Sequence, residues 1–141
     1  MRYIPFTVAV VVSLQAQLAL ATPLERGANG LSEISITMKN ASETPIACGA
    51  TLAHWYSQPI GTVQPGADLR AILWQNQSTG AVYLLNQLED RMPVERLWCG
   101  VAGKSWQTRS EITFERRAGV RVEAIMMTCI SKPHELLCRQ D

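Results

Sequence analysis

Four cysteines, four tryptophans and two histidines are the residues of this chain best suited to covalent chemistry or to anchoring a partner. Cys48, Cys99, Cys129 and Cys138 contain no C-x-x-C pair, so the spacing carries no dithiol redox motif. It carries no zinc pattern either, because paired ligands are missing and His54 and His134 stand 80 positions apart. Two structural disulfides are the expected use of an even set of cysteines in an exported chain. Spacing alone leaves three pairings open. The pairing Cys48 with Cys99 and Cys129 with Cys138 is favoured, since Pro133 can turn the tail back onto the strand it has just left. On a chain-entropy estimate the short loop contributes about 2.7 kcal/mol and the long one about 4 kcal/mol.

The densest aromatic cluster is His54-Trp55-Tyr56, followed by Pro59-Ile60-Gly61 at a strand end, where binding residues tend to sit. If the strand continues through it, His54 and Tyr56 share a face with Leu52 while Trp55 points the other way. The alternative is that Trp55 or Tyr56 fills the core with His54 at its rim. A second cluster holds Trp98, Cys99, Gly100 and Trp106. Trp74 and Trp98, among apolar strand residues, read as core. Trp106 lies in a polar stretch with Lys104, Gln107 and Arg109 and reads as a surface anchor, since an indole offers a large apolar area and one N–H donor. The candidate binding residues are therefore His54, Trp55, Tyr56, Trp106 and Arg109.

No residue set points to catalysis. There is no Gly-x-Ser-x-Gly elbow, and nothing singles out two of the twelve acidic residues as a glycosidase pair. No motif calls for a metal or cofactor. Arg116-Arg117 reads as a solvated edge offset by Glu115 and Glu123. Asn40-Ala41-Ser42 and Asn76-Gln77-Ser78 match the N-glycosylation pattern, which has meaning only in a eukaryotic source.

These groups need a scaffold, and the chain supplies one after a leader. Arg2, an apolar run over residues 4–12 and Ala19-Leu20-Ala21 ahead of Thr22 read as a signal peptide over residues 1–21. Ser13, Gln15 and Gln17 interrupt the run before about 20 apolar residues accumulate, so no membrane span is expected after cleavage. The leader contributes only Arg2 to the 13 basic and 12 acidic residues, leaving 12 against 12. That neutrality excludes the electrostatic footprint of a nucleic-acid partner. Residues 22–32, with Pro23, Gly27 and Gly30, read as a flexible arm with no packed structure, and residues 33–141 as one domain.

Within that domain, Ile34, Ile36 and Met38 alternate with Ser35, Thr37 and Lys39, the period of a half-buried strand. Residues 46–56 read as the next strand, closed by Pro59 and Gly61. Pro65-Gly66 is a turn before a strand over residues 69–75 expected to be buried on both faces. That strand forms a hairpin with residues 81–85. Residues 86–93 read as a polar stretch with room for one helical turn, and 97–101 as a short strand. The clearest hairpin pairs residues 112–115 with 120–123 around Ala118-Gly119. It runs on into a strand over 124–130 expected to be covered on both faces. The expected fold is all-β: a small, disulfide-stapled antiparallel β-sandwich or partly open barrel of six to seven strands.

The function expected from this set is that of a non-enzymatic exported domain, secreted or periplasmic. It engages a protein or glycan through aromatic loops at residues 54–61 and 103–109. The alternatives are an inhibitor of an extracellular or periplasmic hydrolase, a role suited to a stapled scaffold holding a rigid loop, and a small secreted hydrolase, for which no motif speaks.

Overall fold

The computed structural model describes residues 24–141; the signal peptide read over residues 1–21 lies outside the described residues. Among the described residues nine strands form one sheet: β1 Ser32–Asn40, β2 Ile46–Leu52, β3 Ser57–Val63, β4 Asp68–Gln75, β5 Val82–Leu85, β6 Arg91–Val101, β7 Ser110–Ile112, β8 Ile125–Ser131 and β9 Leu136–Gln140. The hydrogen-bonded order is β3-β2-β6-β5-β4-β1-β8-β9, with β7 beside β6. All pairs are antiparallel except β1 with β8, which run parallel. The fold is all-β as expected, with more strands than the six or seven expected and with this one parallel pair.

Strand β6 is why the sheet can bend over a core. Its first residues pair with β5 and its remainder with β2, so one strand serves both halves. The halves then face each other, with Met38 Sδ on β1 3.5 Å from Cys99 Sγ on β6. Ile34, Ile36 and Met38 are all buried, as their alternation requires, and meet Ile46, Ala50, Leu97, Leu73 and Ile125 in a single apolar cluster. The sheet is not closed. Two bonds span part of the gap, from Leu136 N–H to Thr108 O at 2.7 Å and from Cys138 N–H to Ser110 Oγ at 3.0 Å.

Both expected disulfides are present, Cys48–Cys99 across β2 and β6 and Cys129–Cys138 across β8 and β9. In each, the two cysteines sit directly opposite in the strand register.

Several local expectations are corrected. The second strand stops at Leu52, and a 3-10 turn over Ala53–Trp55 replaces its expected continuation. Pro59 and Gly61 do not close that strand but lie inside β3, which pairs back onto β2. β4 and β8 alternate rather than burying both faces: Ile72, Met126 and Ile130 are exposed. Residues 86–93 hold no helical turn, since β6 already begins at Arg91.

The hairpin expected at residues 112–123 does not form. β7 ends at Ile112, and the following loop bonds to a side chain instead of a strand. Gln75, fully buried on β4, donates from Nε2 to Val120 O at 2.9 Å and accepts at Oε1 from Val122 N–H at 2.9 Å. One amide side chain thus satisfies the two backbone groups that a neighbouring strand would have paired.

The expected free arm is also docked over residues 25–29. Arg26 bridges to Asp90, while Arg91 donates to Gly27 O at 2.9 Å and Asn29 O at 2.6 Å and pairs with Glu25. Asn40 of the glycosylation-type triplet ends β1 fully buried. Its amide donates to Thr44 O and Val63 O and accepts from Ser42 N–H.

Candidate functional site

The two aromatic loops meet on the outer face of the β2–β6 pair. Cys48 and Ala50 on β2 face inward, so Gly49 and Thr51 face outward, opposite Trp98 and Arg96. The Trp98 ring lies against Gly49, where a Cβ would stand 2.8 Å from its Cζ2 atom. Only glycine leaves room there for an indole against the sheet. Trp98 is buried, as expected, but on this outer face rather than in the main core cluster.

What covers Trp98 is the loop after β6. The backbone of Ser105 comes so close to Gly100 that a Cβ there would lie 2.0 Å from Ser105 O. Thr108 pins the loop, its hydroxyl accepting from Val101 N–H at 2.9 Å and donating to Lys104 O at 2.9 Å. Trp106 is thereby set edge-on against Trp98, with centroids 5.7 Å apart and planes at 81°, a favoured arrangement of two ring quadrupoles. Arg109 stacks its guanidinium 4.0 Å from the Trp106 centroid and donates to Trp106 O at 2.7 Å. Glu111 lies between Arg96 and Arg109, at 3.4 and 3.9 Å.

The opposite wall comes from the turn between β2 and β3. Leu52 N–H donates to Tyr56 O at 2.6 Å, closing a tight turn over Ala53–Trp55. Trp55 sits in the left-handed region at φ 69°, which costs a bulky L-residue about 1–2 kcal/mol. Its ring is 93% exposed. An exposed indole held on strained backbone gains nothing for the core.

Between the walls is a cleft of about 270 Å³ lined by Thr51, Trp55, Ser57, Glu95, Arg96 and Trp106. Next to the lining residue Glu95, Arg116 donates to Val94 O and Glu95 O, and burial lowers the pKa of that guanidinium from its ordinary value. Among the described residues, Thr51 Oγ1 and Trp98 Nε1 are the buried side-chain polar atoms without a hydrogen-bond partner. Both lie on this outer face. An unpartnered buried polar group costs about 1–3 kcal/mol, so the site carries a polar deficit that the core does not.

Of the residues singled out from sequence, Trp55 and Trp106 line the cleft and Arg109 supports Trp106. Tyr56 is 74% exposed and outside the lining, so neither aromatic of that turn fills the core. His54 belongs to the same turn, with its side chain outside what the structure describes. Sequence reasoning placed Ser57 within the binding stretch 54–61 without singling it out and missed Thr51, Glu95 and Arg96, which no motif marks and only the strand register brings together. A larger groove of about 650 Å³ beside β3, β4 and β5 mixes apolar residues such as Ile60, Ile72 and Leu88 with Gln58, Asn86 and Gln87, and Arg70 is its one charged residue. It gathers no aromatic anchor.

The Sγ atoms of Cys99, Cys129 and Cys138 lie within 4.8 Å of one another. All three are in disulfides and none is a thiolate ligand for a metal. Among the described residues no helix is long and apolar enough to cross a membrane. No family model, no curated protein and no solved structure matches the chain.

Proposed function

We propose that the protein is a non-enzymatic exported domain, secreted or periplasmic, that binds a protein or glycan in the cleft between Trp55 and Trp106. The observation that carries this reading is the convergence of two loops some fifty residues apart in sequence, each ending in an exposed indole, around Thr51, Ser57, Glu95 and Arg96. Tryptophan and arginine dominate the energetics of binding surfaces, and the cleft offers both with one acid and two hydroxyls. Two disulfides are the chemistry of an oxidising compartment. The test is a neutral and acidic glycan array together with crosslinked partner capture, run on the oxidised domain and on a Trp55→Ala/Trp106→Ala variant. Retention by the wild type alone supports the cleft, whereas equal retention by both removes it.

A second reading, an inhibitor of a secreted hydrolase, draws support from Trp55. Its ring projects at 93% exposure from a tight turn, the form of a rigid element inserted into another protein's cleft. A panel of extracellular hydrolases separates the readings: inhibition that Trp55→Ala abolishes favours this one.

A further inference from the structure

We infer that the two disulfides form one thiol-exchange site, in which a dithiol reductant entering at Cys138 transfers the covalent tie from within the strand pairs to between them. Each bridge joins neighbouring strands, β2 to β6 and β8 to β9, yet the halves of the sheet press them together. Cys99, Cys129 and Cys138 hold their sulfurs within 4.8 Å of one another, and Met38 Sδ sits 3.5 Å from Cys99 Sγ on another side. Cys48 is not part of that triad. Access is equally uneven: Cys48, Cys99 and Cys129 are buried, and Cys138 alone is partly exposed. It sits on a five-residue strand that ends the sheet order, the kind of element that opens first.

The chemistry follows from those positions. A thiolate of the reductant attacks Cys138 Sγ, the Cys129–Cys138 bond breaks, and Cys129 leaves as thiolate. The second thiol of the reductant closes its own disulfide and releases Cys138 as a thiol, so the reductant loses two electrons and the protein gains them. Cys129 thiolate then attacks Cys99 Sγ and expels Cys48 as thiolate, which takes a proton from solvent. This second step moves no net electrons. The product carries a Cys99–Cys129 bridge from β6 to β8 and thiols at Cys48 and Cys138. β9 is then untied from β8, and β2 from β6.

The experiment treats the oxidised protein with limiting dithiothreitol without denaturant, quenches with an alkylating agent, and maps disulfide peptides in the monomer fraction. Cys138→Ser, which leaves Cys129 free from the start, is mapped alongside without reductant. The expected result is a Cys99–Cys129 peptide with label on Cys48 in both samples. Label confined to Cys129 and Cys138 with Cys48–Cys99 intact would overturn the inference. Cys48–Cys129 and Cys99–Cys129 peptides in equal amounts would also overturn it, because they mark random exchange in an opened chain. Should Cys138→Ser fail to fold, the wild-type map decides alone.

Discussion

On the inner face of the β2–β6 pair, Ile46, Cys48, Ala50, Leu97 and Cys99 meet the strands of the other half; on the outer face, Trp98 meets Trp106 of the loop after β6, Arg96 meets Glu111, and Thr51 opens on the cleft. The inner face is packed by apolar groups and sulfur and, among the described residues, keeps no unpartnered buried side-chain polar atom. The outer face is covered by one indole, one stacked guanidinium and a loop pinned by Thr108, and keeps two such atoms. A sheet can thus bury both faces of a strand pair while only one side is made of strands. Where a loop does the covering, polar groups are left short of partners.

Substitutions on the two faces test this contrast. The largest effect is expected inside: Leu97→Ala removes a fully buried side chain and should cost about 2–5 kcal/mol in chemical denaturation. Next, Gln75→Leu deletes both partners of the loop at residues 120–122 and should cost about 2 kcal/mol, with amide exchange rising at Val122. A smaller loss than Leu97→Ala is expected for Gly49→Ala, about 1–3 kcal/mol, as the added Cβ pushes Trp98 off the sheet; a shifted indole emission would report it. Thr51→Val should leave stability level or raise it by up to about 1 kcal/mol, since the hydroxyl it removes has no partner. A clear loss there would mean that Thr51 Oγ1 is satisfied and the outer face holds no deficit. The smallest effect, within about 0.5 kcal/mol, belongs to Trp55→Ala, whose cost should appear in binding instead.

Much of the inner face could be read in the sequence. The alternation of Ile34, Ile36 and Met38 has one physical outcome, a strand with one apolar side, and the cysteine pairing agreed with the turn that Pro133 allows. Reading failed where alternation had no strand to pair with: Val120 and Val122 alternate like a hairpin, yet Gln75 takes their backbone bonds. It failed again at residues 53–56, because nothing in Ala-His-Trp-Tyr announces a 3-10 turn with a left-handed tryptophan. The site was half legible for the same reason. Aromatics in polar loops mark themselves, but Thr51, Ser57, Glu95 and Arg96 reach the cleft through pairing, with a register shift at Thr51/Leu52 that composition does not encode.

The parallel pairing of β1 with β8 reaches beyond static architecture. Ile36 lies against Ile125, so β1 waits for a segment about ninety residues further along before that edge is filled. Closing so long a loop early is entropically costly, and contacts of such sequence separation slow folding. During synthesis the backbone N–H and C=O groups along that edge of β1 therefore stay unpaired until β8 has followed. Held open in that way, β1 offers a template to any other extended segment, so docking of β8 is the step that removes it from competition.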